Sequence, residues 1–295
     1  MRILVTAKNG QLGWELNRSK PSHITAKFLD SKEMNITEQN TVMQVISEFK
    51  PDVVINAAAY TAVDKAESDA GACYAVNETG VKNLALACKE VGAKLLHVST
   101  DFVFDATQNT PYQPSDATSP LGVYGASKLA GEQAAQSVLK NDVSIVRTAW
   151  VYSSHGNNFV KTMLRLMAEK PQLGVVADQV GTPTSANNLA AALWLLAEKK
   201  VNKPCDVIYH WTDLGTTSWY DFAVAIQELG LANNLLSNEI PVLPIKAEQY
   251  PTPAKRPAYS VLDSTTLRDE LAVSGVHWRK ALAEVITELK GPLAN

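Results

Sequence analysis

Short apolar runs alternate along the chain with longer stretches in which apolar residues recur every three or four positions. Five runs rich in β-branched residues or leucine are predicted to be buried strands, at residues 3–6, 25–29, 53–56, 95–99 and 143–147. Strands that alternate with helices are typical of a parallel sheet covered by helices on both faces. The pattern therefore predicts an α/β fold built on a doubly wound parallel sheet.

Polar residues and glycine mark the ends of the helices between these strands. Thr37 is predicted to be the N-cap of a helix whose apolar face carries Val42, Ile46 and Phe49. A longer helix is predicted over residues 70–91, and Gly92 is expected to end it because glycine readily adopts the left-handed conformation of a C-terminal cap. Each strand thus has a helix that connects it to the next.

The second half of the chain is less regular. After about Tyr152 prolines become frequent and the strand–helix alternation loosens. We therefore predict a first domain mainly over residues 1–152 and a smaller α/β lobe mainly over residues 153–295, with some segments returning to the first domain. The run Y-P-T-P-A-K-R-P at residues 250–257 is expected to be an extended ordered loop or a linker.

Composition narrows the class of protein. The 295 residues carry a net charge of −3 with a pI near 6.0, and lysine and arginine are scattered, so neither nucleic acid nor a membrane surface is expected as a partner. Cys73, Cys88 and Cys205 form no C-x-x-C pair, which suits a reducing compartment. No apolar stretch reaches transmembrane length, and we expect a cytoplasmic protein.

A glycine-rich turn follows the first predicted strand. Residues 7–13, A-K-N-G-Q-L-G, fit G-x-x-G-x-x-G with Ala7 in place of the first glycine. Gly10 would let backbone amides approach a pyrophosphate at a helix N-terminus, and Gly13 would let the helix pack close to the strand. Asp30, at the end of the second strand, is placed to accept hydrogen bonds from ribose hydroxyls. These features predict a Rossmann-type domain that binds a nicotinamide dinucleotide.

The third strand ends in N-A-A-A-Y-T at residues 56–61. Small side chains at the carboxyl edge of the sheet would leave room for a flat cofactor ring system. The alternative interpretation is that Ala57 and Ala58 only pack a helix against the sheet.

A Y-x-x-x-K motif begins a predicted helix that reaches about Ser137. Tyr124 and Lys128 would share one face of that helix, so the ammonium would lower the pKa of the phenol and make it a competent proton donor. Thr100, at the end of the fourth strand, would add a hydrogen bond to the same substrate oxygen. A nicotinamide, a carbonyl and a nearby acid are what hydride transfer requires, so we predict an oxidoreductase.

Longer motifs extend nearly from end to end of the chain. In the first half they are G-Q-L-G-W-E-L at residues 10–16, N-A-A-A-Y-T-A-V-D-K-A-E at 56–67, S-T-D-F-V-F at 99–104 and D-A-T-S-P-L-G-V-Y-G-A-S-K-L-A-G-E at 116–132. The second half adds R-T-A-W-V-Y at 147–152, G-N-N-F-V-K-T-M at 156–163, D-Q-V-G-T-P-T at 178–184 and the run at 250–257. With these motifs the chain resembles the extended short-chain dehydrogenase/reductase family.

Within that family, the chain resembles more narrowly the branch that reduces the 4-keto group of dTDP-4-dehydro-L-rhamnose to give dTDP-L-rhamnose. The resemblance implies NADPH or NADH as cofactor, a nucleotide-sugar substrate, and Tyr124 as the proton donor. It implies cofactor contacts from Gly10, Gln11, Leu12, Asp30, Ala59, Tyr60, Thr61, Val98, Tyr124 and Lys128. It implies substrate contacts from Thr100, Asp101, Trp150, Asn158 and Arg256.

Two of the implied substrate contacts have a separate physical rationale. Trp150 follows the fifth strand and could stack on a sugar or base, while Arg256 could pair with a diphosphate. A core tryptophan and a surface arginine are the alternatives. Ser31 and Lys32 follow Asp30 and could accommodate a ribose phosphate, so we expect both cofactors to work, with NADPH favoured.

Some members of the family bind magnesium at a subunit contact through carboxylates, so the resemblance allows a homodimer and a metal ion. Glu15 is present, but Asn187 and Asn188 occupy the stretch where a second acid would help, which leaves magnesium in doubt.

Three other functions remain open at this point. A nucleotide-sugar dehydratase would have an acid directly after the Thr-Asp pair, and this chain has Phe102 there. A related polypeptide serves as a regulatory subunit of methionine adenosyltransferase and binds a dinucleotide. A reductase that gives the talose epimer would have a similar sequence.

Overall fold

The computed structural model of the protein describes residues 1–205 and 207–291. In chain order the strands are β1 (Arg2–Val5), β2 (Thr25–Phe28), β3 (Val53–Asn56), β4 (Lys94–Thr100), β5 (Val143–Thr148), β6 (Val151–Tyr152), β7 (Leu173–Val176), β8 (Val180–Gly181), β9 (Thr184–Ser185), β10 (Val207–His210), β11 (Thr217–Ser218) and β12 (Val242–Ile245).

The α-helices are α1 (Gln11–Arg18), α2 (Gln39–Phe49), α3 (Val63–Ala66), α4 (Ala70–Tyr74), α5 (Val81–Val91), α6 (Val123–Leu139), α7 (Phe159–Glu169), α8 (Ala186–Lys200), α9 (Trp219–Ala232), α10 (Thr265–Leu271) and α11 (Trp278–Leu289). A π-helix, Ala75–Gly80, joins α4 to α5. Short 3₁₀ helices lie at Asp101–Val103, Lys140–Asp142 and Ala247–Gln249.

A six-stranded parallel sheet forms the centre of the molecule, in the order β10-β5-β4-β3-β1-β2. The predicted α/β fold with a doubly wound parallel sheet is confirmed, and all five predicted strands lie in this sheet. The chain runs outward in one direction from β1 to β2 and in the other from β3 to β10. The strand order therefore reverses between β1 and β3, and ligands bind at the carboxyl edge beside such a reversal.

Helices cover both faces of the sheet because its central strands carry apolar residues on both sides. On one face α2, α5 and α6 bury a core that includes Leu4, Val54 and Leu95. On the other face α1 and α8 bury Ile3, Val53 and neighbouring residues. Alternate residues of one strand thus serve opposite cores.

A third core lies in the smaller lobe, where α7, α9 and α11 pack together beside the strand pair β7 and β12. Three elements of the second half, α8, β10 and α10, instead pack on or within the central sheet. The domain bounds 1–152 and 153–295 stay a prediction, and residues 292–295 lie outside the described part of the chain. Among the described helices, none combines the length and apolar character needed to cross a membrane.

The predicted helix ends are correct in one case and wrong in the other. Gly92 ends α5 at a φ of 73°, as expected. Thr37 is not the N-cap of α2, because that position belongs to Glu38. The Thr37 hydroxyl instead donates to Asn35 Oδ1 at 3.0 Å, a local turn that competes with capping.

The turn after β1 contains an alanine in a conformation that glycine prefers. Ala7 has a φ of 56°, in the left-handed region, where the methyl group of an L-residue crowds its own backbone. A Cβ on Gly13 would lie 2.1 Å from the Ala7 carbonyl oxygen, so α1 approaches the turn at a distance that only glycine allows. Alanine in place of the first glycine of the motif therefore strains this turn.

We predict that Ala7→Gly stabilises the protein. Relief of the left-handed strain outweighs the greater entropy of a glycine in the unfolded chain, which gives a net gain of about 1 kcal/mol in the free energy of unfolding. Denaturant unfolding of the variant and wild type measures the change. Ala58→Gly, at a position where φ is not positive, is the matched control and should destabilise. Equal effects of the two substitutions would contradict the strain at Ala7.

Candidate active site

A cleft of about 550 Å³ opens at the carboxyl edge of the central sheet, beside the reversal of strand order. Most of the site residues predicted from the sequence line it: Gly10, Gln11, Leu12, Ala59, Thr61, Val98, Thr100, Asp101, Tyr124, Lys128 and Trp150. Four others, Asp30, Tyr60, Asn158 and Arg256, are not among the lining residues. Sequence reasoning missed Gly156 and Asn157, which line the cleft from a loop whose only sequence signal is the G-N-N motif.

The N-terminus of α1 points into this cleft. Gly10 is its N-cap residue, and no side chain accepts a hydrogen bond from the first turn of the helix. Free backbone N–H groups and the positive end of the helix dipole favour an anion there. A turn lined by Gly10 and Gly13 lets a pyrophosphate come close to the backbone, so the residues present fit a dinucleotide.

Asp30 lies just after β2 and is held by its own loop. Its carboxylate accepts hydrogen bonds from the backbone N–H of Lys32 at 2.9 Å and from Asn9 Nδ2 at 3.0 Å. Hydrogen bonds of this kind to the charged form hold the pKa of Asp30 below its ordinary value against the opposing effect of burial. Glu33 adds a second carboxylate, and Lys8 lies 2.6 Å from it and 3.8 Å from Asp30.

The Tyr124 and Lys128 side chains lie in the first turns of α6, on the cleft side. Lys128 is buried, and its ammonium nitrogen donates to the Val98 carbonyl at 2.7 Å. Burial lowers the pKa of Lys128 to about 8, against the smaller opposing effect of Glu132. The predicted lowering of the Tyr124 pKa is wrong for this structure, because burial of the phenol raises its pKa well above 10. Tyr124 is therefore a protonated phenol at neutral pH.

Thr100 and Asp101 join β4 to a short 3₁₀ helix beneath Tyr124. The Thr100 hydroxyl is hydrogen-bonded to Tyr124 and lies 3.0 Å from Asp101 Oδ1, to which it donates. Asp101 is buried, and this burial raises the pKa of its carboxyl to about 6. By distance and angle its other oxygen, Oδ2, has no hydrogen-bond partner among the described residues, although the nearby Ser260 hydroxyl partly opposes the rise in pKa. A buried, half-satisfied carboxyl in a cleft is a candidate for binding a substrate hydroxyl.

Trp150 lines the cleft and also packs against the smaller lobe. Its ring stacks on Trp219 with centroids 3.4 Å apart and planes 9° apart. Its φ of 48° places a bulky residue in the left-handed region, a strained conformation that surrounding structure must impose. The two interpretations of Trp150, substrate contact and core packing, are therefore compatible.

The remaining predicted contacts have partners within the protein. Asn158 caps α7 by accepting from the Lys161 backbone at 3.1 Å, and it donates to Gln11 Oε1 at 2.9 Å. Arg256 Nη2 lies 2.6 Å from Asp64, so the loop at residues 250–257 is an ordered segment anchored on the first domain. Contacts of these two side chains with a substrate stay predictions.

Tyr60 does not line the cleft, although its neighbours Ala59 and Thr61 do. Its hydroxyl donates to Asp69 at 3.3 Å, and its backbone N–H donates to Asn77 Oδ1 at 2.9 Å. A cofactor contact from Tyr60 therefore stays a prediction.

Glu15 is fully buried and already satisfied. It accepts from Ser153 at 2.7 Å and pairs with Arg18 at 2.7 Å. Within residues 1–205 and 207–291, no group of three or more His, Cys, Asp or Glu side chains is arranged to hold a metal ion. Nothing in this region supports a magnesium site within one chain.

Comparison with known proteins identifies the family. The model of the RmlD substrate binding domain matches residues 1–290. A curated dTDP-4-dehydrorhamnose reductase of Aggregatibacter actinomycetemcomitans is 42% identical over 96% of this chain and 98% of its own length. The chain belongs to the dTDP-4-dehydrorhamnose reductase family.

Solved structures of the family have the same fold. The Clostridium acetobutylicum dTDP-4-dehydrorhamnose reductase matches with a TM-score of 0.90 and 40% identity over 98% of this chain and 100% of that one. The Bacillus anthracis enzyme, solved in complex with NADP, matches with a TM-score of 0.89 and 37% identity over 97% of this chain and 99% of that one.

We predict that Trp150→Ala raises KM for the sugar nucleotide, because the ring lines the cleft. The same substitution should lower the free energy of unfolding by about 2–4 kcal/mol, because it removes the stack on Trp219. Trp219→Ala is the matched control, since it removes the same stack from a residue that is not among those lining the cleft. It should lower stability similarly with a smaller effect on KM. Denaturant unfolding and steady-state kinetics measure both effects, and equal changes in KM would contradict a substrate contact by Trp150.

Proposed function

We propose that this chain reduces the 4-keto group of dTDP-4-dehydro-β-L-rhamnose to give dTDP-β-L-rhamnose, the final step in making this sugar donor. The observation that carries the proposal is the meeting of Tyr124, Lys128 and Thr100 in one cleft with a free helix N-terminus after a glycine turn. The names of the relatives, which match over nearly the whole chain, supply the substrate. The cofactor is a nicotinamide dinucleotide.

Several cleft residues would hold the dinucleotide. Gly10, Gln11 and Leu12 surround the start of α1, where a pyrophosphate fits, and Asp30 would accept from ribose hydroxyls. Ala59 lines the cleft just after β3, and its small side chain would leave space there for the cofactor. When bound, the nicotinamide supplies the hydride that reduces the keto carbon.

Tyr124 would supply the proton. Burial keeps its phenol protonated at neutral pH, so it can donate to the keto oxygen as that oxygen gains negative charge. The Thr100 hydroxyl, hydrogen-bonded to Tyr124, would turn its proton from Asp101 Oδ1 to the same oxygen and hold it in place. Asp101 Oδ2 would accept a hydrogen bond from a sugar hydroxyl, which would satisfy an otherwise unpaired buried atom.

The residue after Asp101 favours reduction over dehydration. A dehydratase needs an acid there to protonate the departing hydroxyl, and Phe102 cannot supply one. The Phe102 ring instead meets Tyr124 edge-on, with centroids 5.5 Å apart.

One experiment tests the proposed function against its alternatives. Turnover of the authentic 4-keto sugar nucleotide with reduced cofactor distinguishes an enzyme from a regulatory subunit that only binds the dinucleotide. The configuration of the product distinguishes a rhamnose-forming from a talose-forming reductase.

We predict that Tyr124→Phe lowers kcat by roughly 100- to 10,000-fold, the range for loss of a general acid, while dissociation constants for cofactor and substrate change little. Phenylalanine keeps the ring and its packing but removes the proton. Single-turnover rates and equilibrium titrations measure the two quantities.

The matched control for this variant is Tyr112→Phe, which also deletes a phenol hydroxyl. That hydroxyl donates to Asp105 at 2.8 Å, and Tyr112 does not line the cleft. Its kcat should stay near wild type. If Tyr124→Phe keeps more than about a third of wild-type kcat when chemistry is rate-limiting, Tyr124 is not the proton donor.

We predict that both cofactors support turnover, with NADPH favoured, and that Glu33→Gln shifts the preference further toward NADPH. Glu33 holds Lys8 at 2.6 Å, so removal of its charge frees the ammonium to meet a ribose phosphate. Ratios of kcat/KM for the two cofactors measure the preference. A wild-type preference for NADH beyond about a hundredfold, nearly 3 kcal/mol, would contradict the hypothesis that the loop after Asp30 accommodates a ribose phosphate.

A further inference from the structure

The D-Q-V-G-T-P-T motif at residues 178–184 has no part in the site described so far. It contributes to β8 and β9, and none of its seven residues is among those that line the cleft. Two of them, Thr182 and Thr184, are nonetheless at least 98% buried. A motif so placed can act on the cleft only through a residue that it contacts.

That residue is Trp150, and Gly181 of the motif covers one face of its indole ring. A Cβ on Gly181 would lie 2.7 Å from Trp150 Cε2 and 2.9 Å from both Cζ2 and Nε1. Cε2 is recessed between the other two atoms, so a group in the ring plane would be nearer to them than to Cε2. The shorter distance to Cε2 therefore places Gly181 over the ring face, where only a residue without a side chain fits.

Trp219 covers the opposite face of the same indole. Its ring stacks on Trp150 with centroids 3.4 Å apart, and a ring so close leaves no room for Gly181 on that face. The β8–β11 strand pair aligns Gly181 with Thr217, two residues before Trp219. Gly181 and Trp219 thus form a clamp on Trp150, which we call the Trp150 clamp, and one strand pair supplies both of its sides.

Neither side of the Trp150 clamp is free to move back. β8 is bonded to β11 along one edge, and along the other Val180 donates to the Ala258 carbonyl and accepts from the Ser260 N–H, each at 2.8 Å. The Trp219 ring packs on Phe159 with centroids 4.6 Å apart. A group added at Gly181 must therefore displace the Trp150 ring rather than the strand.

The motif also holds the backbone of Trp150. The Trp150 carbonyl accepts from the Thr184 N–H at 3.1 Å. Its φ of 48° is a strained conformation for a bulky residue, and such a conformation persists only where the surrounding structure imposes it. A ring covered on both faces and a carbonyl bound by the same motif supply that constraint.

We propose that Gly181 is a positioning residue, whose missing side chain lets the clamp hold Trp150 so that the sugar nucleotide meets an edge of the indole. The proposal rests on the proposed function for the identity of the ligand. Stacking of Trp150 on the sugar or base would require one side of the clamp to move. The edge of an aromatic ring carries positive partial charge, so hydroxyl and phosphate oxygens of the ligand are favoured there over a flat ring.

The first test is Gly181→Ala. The φ of Gly181 is not positive, so alanine adds no backbone strain, and its methyl group acts on the Trp150 ring. We expect KM for the 4-keto sugar nucleotide to rise about ten- to hundredfold, the scale of a misplaced binding group. The kcat at saturation and the dissociation constant for NADPH should change little. An unchanged KM, or a loss that falls mainly on kcat, would overturn the proposal.

A control and a rescue separate this effect from general damage to the lobe. Gly174→Ala adds a methyl group to another strand glycine, 3.2 Å from the Ile245 side chain, and should leave KM near wild type. Trp150→Phe makes room for the methyl group, so Gly181→Ala should raise KM less in that background than in the wild type. Equal effects of Gly181→Ala in both backgrounds would overturn a route through Trp150.

The position of the ring can be measured without turnover. Protein labelled with ¹⁵N in its six tryptophans gives an indole N–H signal for each, and Trp150→Phe assigns the relevant one. Gly181→Ala should shift the Trp150 signal in the free protein, whereas Gly174→Ala should not. A Trp150 signal that stays in place in Gly181→Ala would overturn the clamp.

Titration with dTDP-L-rhamnose tests the edge contact. Ligand protons stacked on an indole face move upfield through the ring current, and we expect no such shift from Trp150. Upfield shifts of sugar or base protons that are lost in Trp150→Leu would overturn the edge contact. If the free-protein signals behave as expected but the wild type neither binds nor reduces the sugar nucleotide, the proposed function fails while the placement of Trp150 by Gly181 stands.

Discussion

The burial of Lys128 is the constraint on which the rest of the candidate site depends. A lysine amine removed from water must have hydrogen-bond partners, and here they come from β4 through the Val98 carbonyl and the His97 ring. These contacts fix the start of α6 against the carboxyl end of β4. Tyr124, one turn before Lys128, is thereby held beside Thr100. The geometry of the proposed proton donation by Tyr124 thus depends on how a different side chain, Lys128, is solvated inside the protein.

A buried ion pair between β5 and α6 also fixes the position of α6 on the sheet. Arg147 on β5 binds Glu132 of α6 through two nitrogens, with both side chains almost fully buried. Such a pair adds little net stability compared with apolar packing, but loss of one partner costs about 3–5 kcal/mol because a charge is left buried. It therefore selects a single placement of α6 on the sheet. The same carboxylate lies close enough to Lys128 to favour its charged form.

The cleft is bounded by two structures of different character. On one side, close backbone approach at Gly13 and the strained Ala7 shape the turn before α1. On the other side, Trp150 stacks on Trp219 of the smaller lobe, and Arg256 forms an ion pair with Asp64 of α3. Backbone geometry thus shapes the first side of the cleft, and contacts between side chains support the second.

The sequence by itself determined the parallel sheet, the glycine turn and the pairing of Tyr124 with Lys128, because periodicity, turn chemistry and helical spacing are local. It did not predict β10, a strand from the second half of the chain that pairs with β5 and becomes an edge of the sheet. Only the tertiary structure decided the raised pKa of Tyr124, the ion pair of Arg256 with Asp64, and the contact of the buried His97 ring with Lys128. Burial and long-range hydrogen bonds depend on residues distant in sequence, and no spacing along the chain encodes them.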